Sequence, residues 1–297
     1  MTQQEFEARL HQLREDSVVW YRDWEYAGDE IWVPGREGTI RCRLYRPSRP
    51  VSTRLPVFFD LHGGGWAVHR CEADQPFCVK AAESLGILVV SIDYRLAPEH
   101  RFPAPVDDAF DVICHFYKNA EQYGIDPMRM GIGGHSAGGH LSVCTALRAA
   151  ETNAFPLRCM ILDYPGIDLT DISYKREIQM QDGKLTEYQK EFVELCEVFS
   201  RCNFATDEQK RDYHCNLALA PAEQLAVLPP AVITACEDDL LRFQDMEFAG
   251  RLMEAGVETT FRLFKGVVHG FTADLYYTPE AEEGHRMMID GMRKYLL

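Results

Sequence analysis

Gly134-His135-Ser136-Ala137-Gly138 places a serine between two glycines, each two residues away. The residues before it, Met130 to Gly133, read as the end of a short buried strand. Those after it, Leu141, Cys144, Ala146 and Leu147, sit at helical spacing. A serine on such a strand-to-helix turn is held in a cramped backbone geometry, with its hydroxyl standing clear of the sheet. Side chains two residues to either side would collide, so glycine fits both places. The serine also opens a helix, whose positive end favours an anion. Ser136 is therefore the candidate nucleophile. In a chain of this length the pattern arises by chance on the order of once in ten, so it needs companions. A dinucleotide loop is excluded because Gly131 and Gly133 are followed by Ser136 at the third glycine position. A phosphate-cradling loop is excluded because no lysine follows Gly139.

One companion is His62-Gly63-Gly64-Gly65-Trp66, directly after the apolar run Val57 to Leu61. Without side chains, backbone N–H groups can approach a reacting oxygen closely. The N–H groups of Gly63 and Gly64, with that of Ala137, are expected to form an oxyanion hole. A serine hydroxyl also needs a base to take its proton. Of the competing histidines, His62 belongs to the glycine loop, His135 to the nucleophile turn, and His140 to the helix behind it. His214 lies in an insertion, and His285 is read as exposed on the last helix. His269 follows the strand pattern Thr259 to Phe264. The end of a parallel strand is where an α/β sheet presents its chemistry, so His269 is the candidate base. Its orienting acid should follow the strand Ala231 to Cys236, where Glu237, Asp238 and Asp239 crowd together.

These groups need a frame. Residues 3 to 24 read as helical, with Phe6, Leu10 and Leu13 on one face, then Trp20 and Trp24; Gly28 to Gly38 breaks the pattern. Thr39 to Tyr45, Val57 to Leu61, Ile87 to Ile92, Met130 to Gly133, Met160 to Tyr164, Ala231 to Cys236 and Thr259 to Phe264 read as strands. Helical patterns such as Val106 to Tyr117 intervene. Thr278-Pro279 starts a last helix. Between Pro165 and Pro229 the rhythm stops. There Thr186 and Gln189 form a capping box, and Phe192, Leu195, Cys196 and Phe199 recur at helical spacing. The division expected is a core of residues 40–165 and 226–297, with residues 1–39 and 166–225 as a helical cap or lid.

The 297 residues carry a formal charge of −15, which disfavours nucleic acid and anionic membranes as partners. No apolar run reaches transmembrane length, and the charged opening residues do not resemble an export signal. A cytoplasmic protein is expected. Its ten cysteines are scattered without a C-x-x-C pair, so they read as reduced thiols rather than a disulfide framework or zinc site.

HGGGW at His62 to Trp66, DYRLAPEHRFPAP at Asp93 to Pro105, and GHSAGG at Gly134 to Gly139 together resemble the hormone-sensitive-lipase-type carboxylesterase branch of the α/β hydrolases. The likeness runs from about Val57 to the C-terminus. It implies an α/β-hydrolase fold: a mostly parallel sheet, helices on both faces and a helical cap. The implied chain order is Ser, acid, His. Aligning Leu240 with the leucine of the family's Asp-Pro-Leu puts Asp238 on the acid, and leaves Asp239 as a solvated loop charge where proline is usual. Asp93, Arg95 and Glu99 are implied to brace the glycine loop. The family more often has Asp or Thr where this chain has His135, and GHSAGGH also resembles arylformamidase-type hydrolases and aryl esterases of the same fold. Homodimers are common among such proteins, and the last strand and C-terminal helix are the surface offered for one.

The reading is a serine carboxylesterase for small, short-acyl esters, with Ser136, Asp238 and His269 as its triad and no metal or organic cofactor. The same machinery could instead cleave an aryl amide or formamide. A non-catalytic small-ligand receptor would be expected to lack a triad residue, and none is missing here.

Overall fold

In the computed structural model the described residues are 2–19, 21–169, 185–273 and 278–297. Trp20 and much of the insertion, residues 170–184, lie outside them. Eight strands form one sheet in the order β1-β2-β4-β3-β5-β6-β7-β8. They are β1 (Asp29–Gly35), β2 (Gly38–Tyr45), β3 (Leu55–Leu61), β4 (Leu88–Asp93), β5 (Ile125–His135), β6 (Cys159–Asp163), β7 (Ala231–Cys236) and β8 (Thr259–Phe264). The pairs β1–β2 and β2–β4 are antiparallel; all later pairs are parallel. This is the α/β-hydrolase fold implied by the three motifs.

The central parallel strands are largely apolar because both faces are covered, whereas β8, at the edge of the sheet, alternates between part-buried and exposed residues. Every residue of β3 and β7 is buried. On one face, a core including Phe59, Leu61, Ile132 and Ile233 packs with Phe116, Leu141 and Phe248 of the helices Ala104–Lys118, Ala137–Thr152 and Arg242–Glu254. On the other, Phe58, Val89 and Ile161 meet Phe77 of the helix Gln75–Leu85 and Met288 and Met292 of the helix Pro279–Leu296. The helix Ala137–Thr152 is buried on all sides from Ala137 to Leu147, whereas the other helices bury one apolar side each, as amphipathic spacing requires.

The sheet starts earlier than residue 40. Asp29–Gly35 pairs along its whole length with β2, closing at Gly35 and Gly38. The two glycines and Pro34 disguise an alternation in which Val33 is buried and Trp32 is exposed. The first helix covers Gln3–Val19 and ends short of Trp24, which lies in a turn. In the insertion, Glu187–Asn203 is a helix, started by the reciprocal Thr186–Gln189 capping box. Among the described residues, no helix is long and apolar enough to cross a membrane.

Candidate active site

Ser136 lies between the end of β5 and the helix Ala137–Thr152, at φ 52° and ψ −117°. A positive φ at a residue with a side chain is strained and persists only where the surroundings enforce it. Here the Ser136 N–H donates to the Asp163 carbonyl at 2.9 Å, tying the turn to β6. A Cβ at Gly134 or at Gly138 would fall on the Leu61 carbonyl oxygen of β3. The two glycines are thus fixed by close approach of the neighbouring strand.

His269 follows β8. Its Nε2 is 2.8 Å from Ser136 Oγ, and its Nδ1 is 2.7 Å from Asp239 Oδ2. An ionised carboxylate only accepts, so Nδ1 carries the proton and Nε2 accepts from the serine hydroxyl; the network assigns this tautomer. The carboxylate is buried, and its other oxygen accepts the Leu241 N–H at 2.9 Å.

The carboxylate that meets His269 Nδ1 is Asp239, not Asp238 as expected. The Glu237 N–H bonds the Phe264 carbonyl at 2.9 Å, and the Asp238 N–H bonds Val267 at 3.0 Å. The β7–β8 pairing thereby extends past the strand, leaving Asp238 exposed and Asp239 buried beneath the imidazole. The expectation of a solvated Asp239 is reversed with it.

Gly63, Gly64 and Ala137 line the same cavity as Ser136 and His269, with a volume of about 1010 Å³. Gly64 sits at φ 108°, a conformation that residues with side chains rarely adopt. The insertion helix supplies part of the wall through Phe192, Leu195, Cys196 and Phe199, and the N-terminal helix adds Leu13 and Ser17. Two rings approach the imidazole of His269, each with its centroid 4.8 Å away. Tyr164 stands at the end of β6, and Phe192 comes from the insertion. Neither contact was readable from sequence spacing. Trp66 lines the cavity, whereas Phe271 is buried against Tyr164 and Phe264.

A buried polar layer lies under the turn. His135 Nδ1 is 3.1 Å from Asp74, and its Nε2 is 3.4 Å from Asp163. Asp163 also accepts the hydroxyls of Thr234 and Thr272. Burial disfavours the charged imidazole, but Asp74, Asp163 and Asp60 outweigh it and hold its pKa up at about 10. His285 is buried rather than exposed; its ring nitrogen meets the Thr272 carbonyl at 2.8 Å. Asp60, Asp74 and His135, and likewise Cys71, Glu72 and Asp93, converge closely enough to suggest metal ligands. However, Asp74 pairs with His135, and Glu72 with Arg41 and Arg43.

Among the described residues, the charges of the second motif do not form one network, and only Glu99 reaches the end of the glycine loop, through Arg14. Asp93 holds Arg41 at 2.9 Å and Arg95 pairs with Asp108 at 2.8 Å. Glu99 binds Arg14 at 2.6 Å, and Arg14 Nε donates to the Ala67 carbonyl at 3.0 Å, fastening the first helix beside the glycines.

The profile of the alpha/beta hydrolase fold family matches residues 58–273. Among curated proteins, the esterase LipI of Mycobacterium tuberculosis is 30% identical over 268 residues, covering 90% of this chain and 82% of the relative. An ethyl acetate hydrolase of Pseudomonas putida is 30% identical over 273 residues, with coverage of 90% and 82%. The hyperthermophilic esterase from Pyrobaculum calidifontis superposes with a TM-score of 0.84 at 29% identity, covering 97% of this chain and 93% of that one. With the three motifs on one sheet and these relatives over nearly the whole chain, the protein belongs to the alpha/beta hydrolase fold family, in its hormone-sensitive-lipase-type carboxylesterase branch.

Proposed function

We propose that this carboxylic ester hydrolase works through Ser136, His269 and Asp239, on small esters with short acyl groups. His269 Nε2 takes the hydroxyl proton as Ser136 Oγ attacks the ester carbonyl. Buried Asp239 holds Nδ1–H and stabilises the imidazolium that forms. The developing oxyanion is held by the N–H groups of Gly63, Gly64 and Ala137, the last at the positive end of its helix. His269 then gives its proton to the leaving alcohol. In the second half it takes a proton from water as that water attacks the acyl-enzyme, and returns the proton to Ser136 Oγ as the acid leaves. No metal or organic cofactor enters these steps.

The observation that carries this reading is the unbroken hydrogen-bonded chain Asp239–His269–Ser136 on the wall of a large cavity. The short-acyl preference takes its support from the relative named an ethyl acetate hydrolase. The test is a series of nitrophenyl esters of increasing acyl length beside an N-formyl aryl amine, with Ser136→Ala as control. Ester turnover that peaks at short chains and vanishes in the variant is expected. Turnover of the amide alone would replace the ester reading. Undiminished turnover in Ser136→Ala, or failure of a fluorophosphonate to label Ser136, would remove the nucleophile.

A further inference from the structure

His140 is fully buried one turn into the helix that Ser136 opens, and it takes no part in the steps above. Its two ring nitrogens face different pieces of chain. Trp66 Nε1 is 3.3 Å from Nδ1, and the Cys215 carbonyl oxygen is 2.6 Å from Nε2. An indole N–H can only donate and a carbonyl can only accept. Nδ1 must therefore be the bare nitrogen and Nε2 the protonated one. Burial lowers the imidazole pKa to about 4, so this neutral tautomer persists at ordinary pH.

Each end of this pair is attached to something the proposed chemistry needs. Trp66 follows Gly63-Gly64-Gly65 directly, and its own backbone is held at a positive φ of 62°. Its carbonyl accepts the Ala97 N–H at 2.9 Å, so the indole bond is a second anchor on the same residue. His140 donates its backbone N–H to the Ser136 carbonyl at 3.1 Å, in the first turn of the helix that begins at Ala137. The proposed oxyanion donors come from these two separate elements, and their spacing must match one oxygen atom. Cys215 lies where the insertion returns to the core, beside buried Leu217.

We propose that His140 is a positioning residue: by accepting the Trp66 indole N–H it sets the glycine loop against the nucleophile helix, and by donating to Cys215 it ties the insertion to the same point. This rests on the oxyanion-hole reading above. The effect belongs in kcat, because the loop geometry matters most when charge develops on the oxygen.

The two nitrogens can be separated experimentally. An asparagine amide superposes on the position of Nδ1 and a glutamine amide on that of Nε2. His140→Gln keeps the Cys215 bond and loses Trp66; His140→Asn does the reverse. For a short nitrophenyl ester, His140→Gln is expected to lower kcat by about 10- to 100-fold with KM within about threefold, and His140→Asn to recover most of that loss. Trp66→Phe should lower kcat by a similar factor, and adding His140→Gln to it should cost little more. Equal losses in the Gln and Asn variants, or His140→Gln at wild-type kcat, would overturn the assignment. If neither His140 variant folds, Trp66→Phe decides alone: full kcat refutes the role and a kcat-confined loss supports it. Failure of the underlying reading shows separately, as wild-type turnover that survives Ser136→Ala.

Discussion

Asp239 and His269 meet at 2.7 Å beyond the ends of β7 and β8, the last two strands of the sheet, while Asp238, one residue earlier, faces solvent. One peptide unit thus separates a buried partner of the imidazole from an exposed charge.

That contrast is directly testable. Asp239→Asn would present the imidazole with an amide and favour the wrong tautomer. It is expected to lower kcat by about a thousand- to ten-thousand-fold. Asp238→Asn should stay within about threefold of wild type, as a surface change does. Steady-state kinetics on one short ester separates the two, and the opposite ranking would restore Asp238.

His135 should make stability depend on alkaline pH. Its folded pKa is about 10, against about 6.5 when unfolded. A raised pKa means the folded state binds the proton more tightly. The stabilisation is fully present below about pH 6.5 and is lost as pH rises through about 10. Asp60, Asp74, Asp163 and His285 share this environment. Wild-type Tm should therefore exceed that of His135→Asn most below about pH 6.5, with the gap narrowing steadily toward pH 10. A gap constant from pH 7 to 10 would show that His135 is neutral.

Gly65 should couple the glycine loop to the helix Glu187–Asn203. At φ 56°, its Cβ would land on the ring of Phe199 in the insertion helix. Gly65→Ala is expected to cost about 1–3 kcal/mol for the overlap, beyond about 1 kcal/mol for the left-handed backbone. Adding Phe199→Ala should relieve the first part and leave the second. Urea midpoints of the two single variants and the double variant measure this; strict additivity would count against the contact.

Asp245 offers a stabilising change. It is fully buried in the helix Arg242–Glu254, and neither carboxylate oxygen has a hydrogen-bond partner among the described residues. Burial, with Asp239 and Asp163 nearby, raises its pKa well above the ordinary value. A carboxyl with a raised pKa loses stability as pH climbs above its unfolded value of about 3.9. Asp245→Asn should therefore raise Tm increasingly from pH 5 to 9. No gain at pH 9 would mean that the carboxylate is satisfied.

Much of the frame was readable because a strand buried on both faces leaves a short apolar run, as β7 does, and an edge strand leaves an alternation, as β8 does. His269 could be singled out because it follows that alternation. The acid could not be fixed: Glu237, Asp238 and Asp239 have the same chemistry, and only the hydrogen bonds reaching past β7 decide which one turns inward. The strand Asp29–Gly35 was missed because Pro34, Gly35 and Gly38 look like a loop, although pairing with β2 supplies what propensity lacks. His285 was read as exposed because charged residues surround it, yet its ring is turned against Phe77 and the Thr272 carbonyl. Likewise, sequence could place His140 on a helix but not reveal that Trp66 and Cys215 arrive at its two nitrogens.

Ser136 is carried by a strand in the middle of the sheet, with neighbours on both sides, whereas His269 hangs from the strand at one end. Fraying begins at margins, where each strand is held by a single partner. Warming should thus silence the protein by detaching the imidazole from the serine while the central strands still stand, so that inactivation precedes melting and is reversed on cooling.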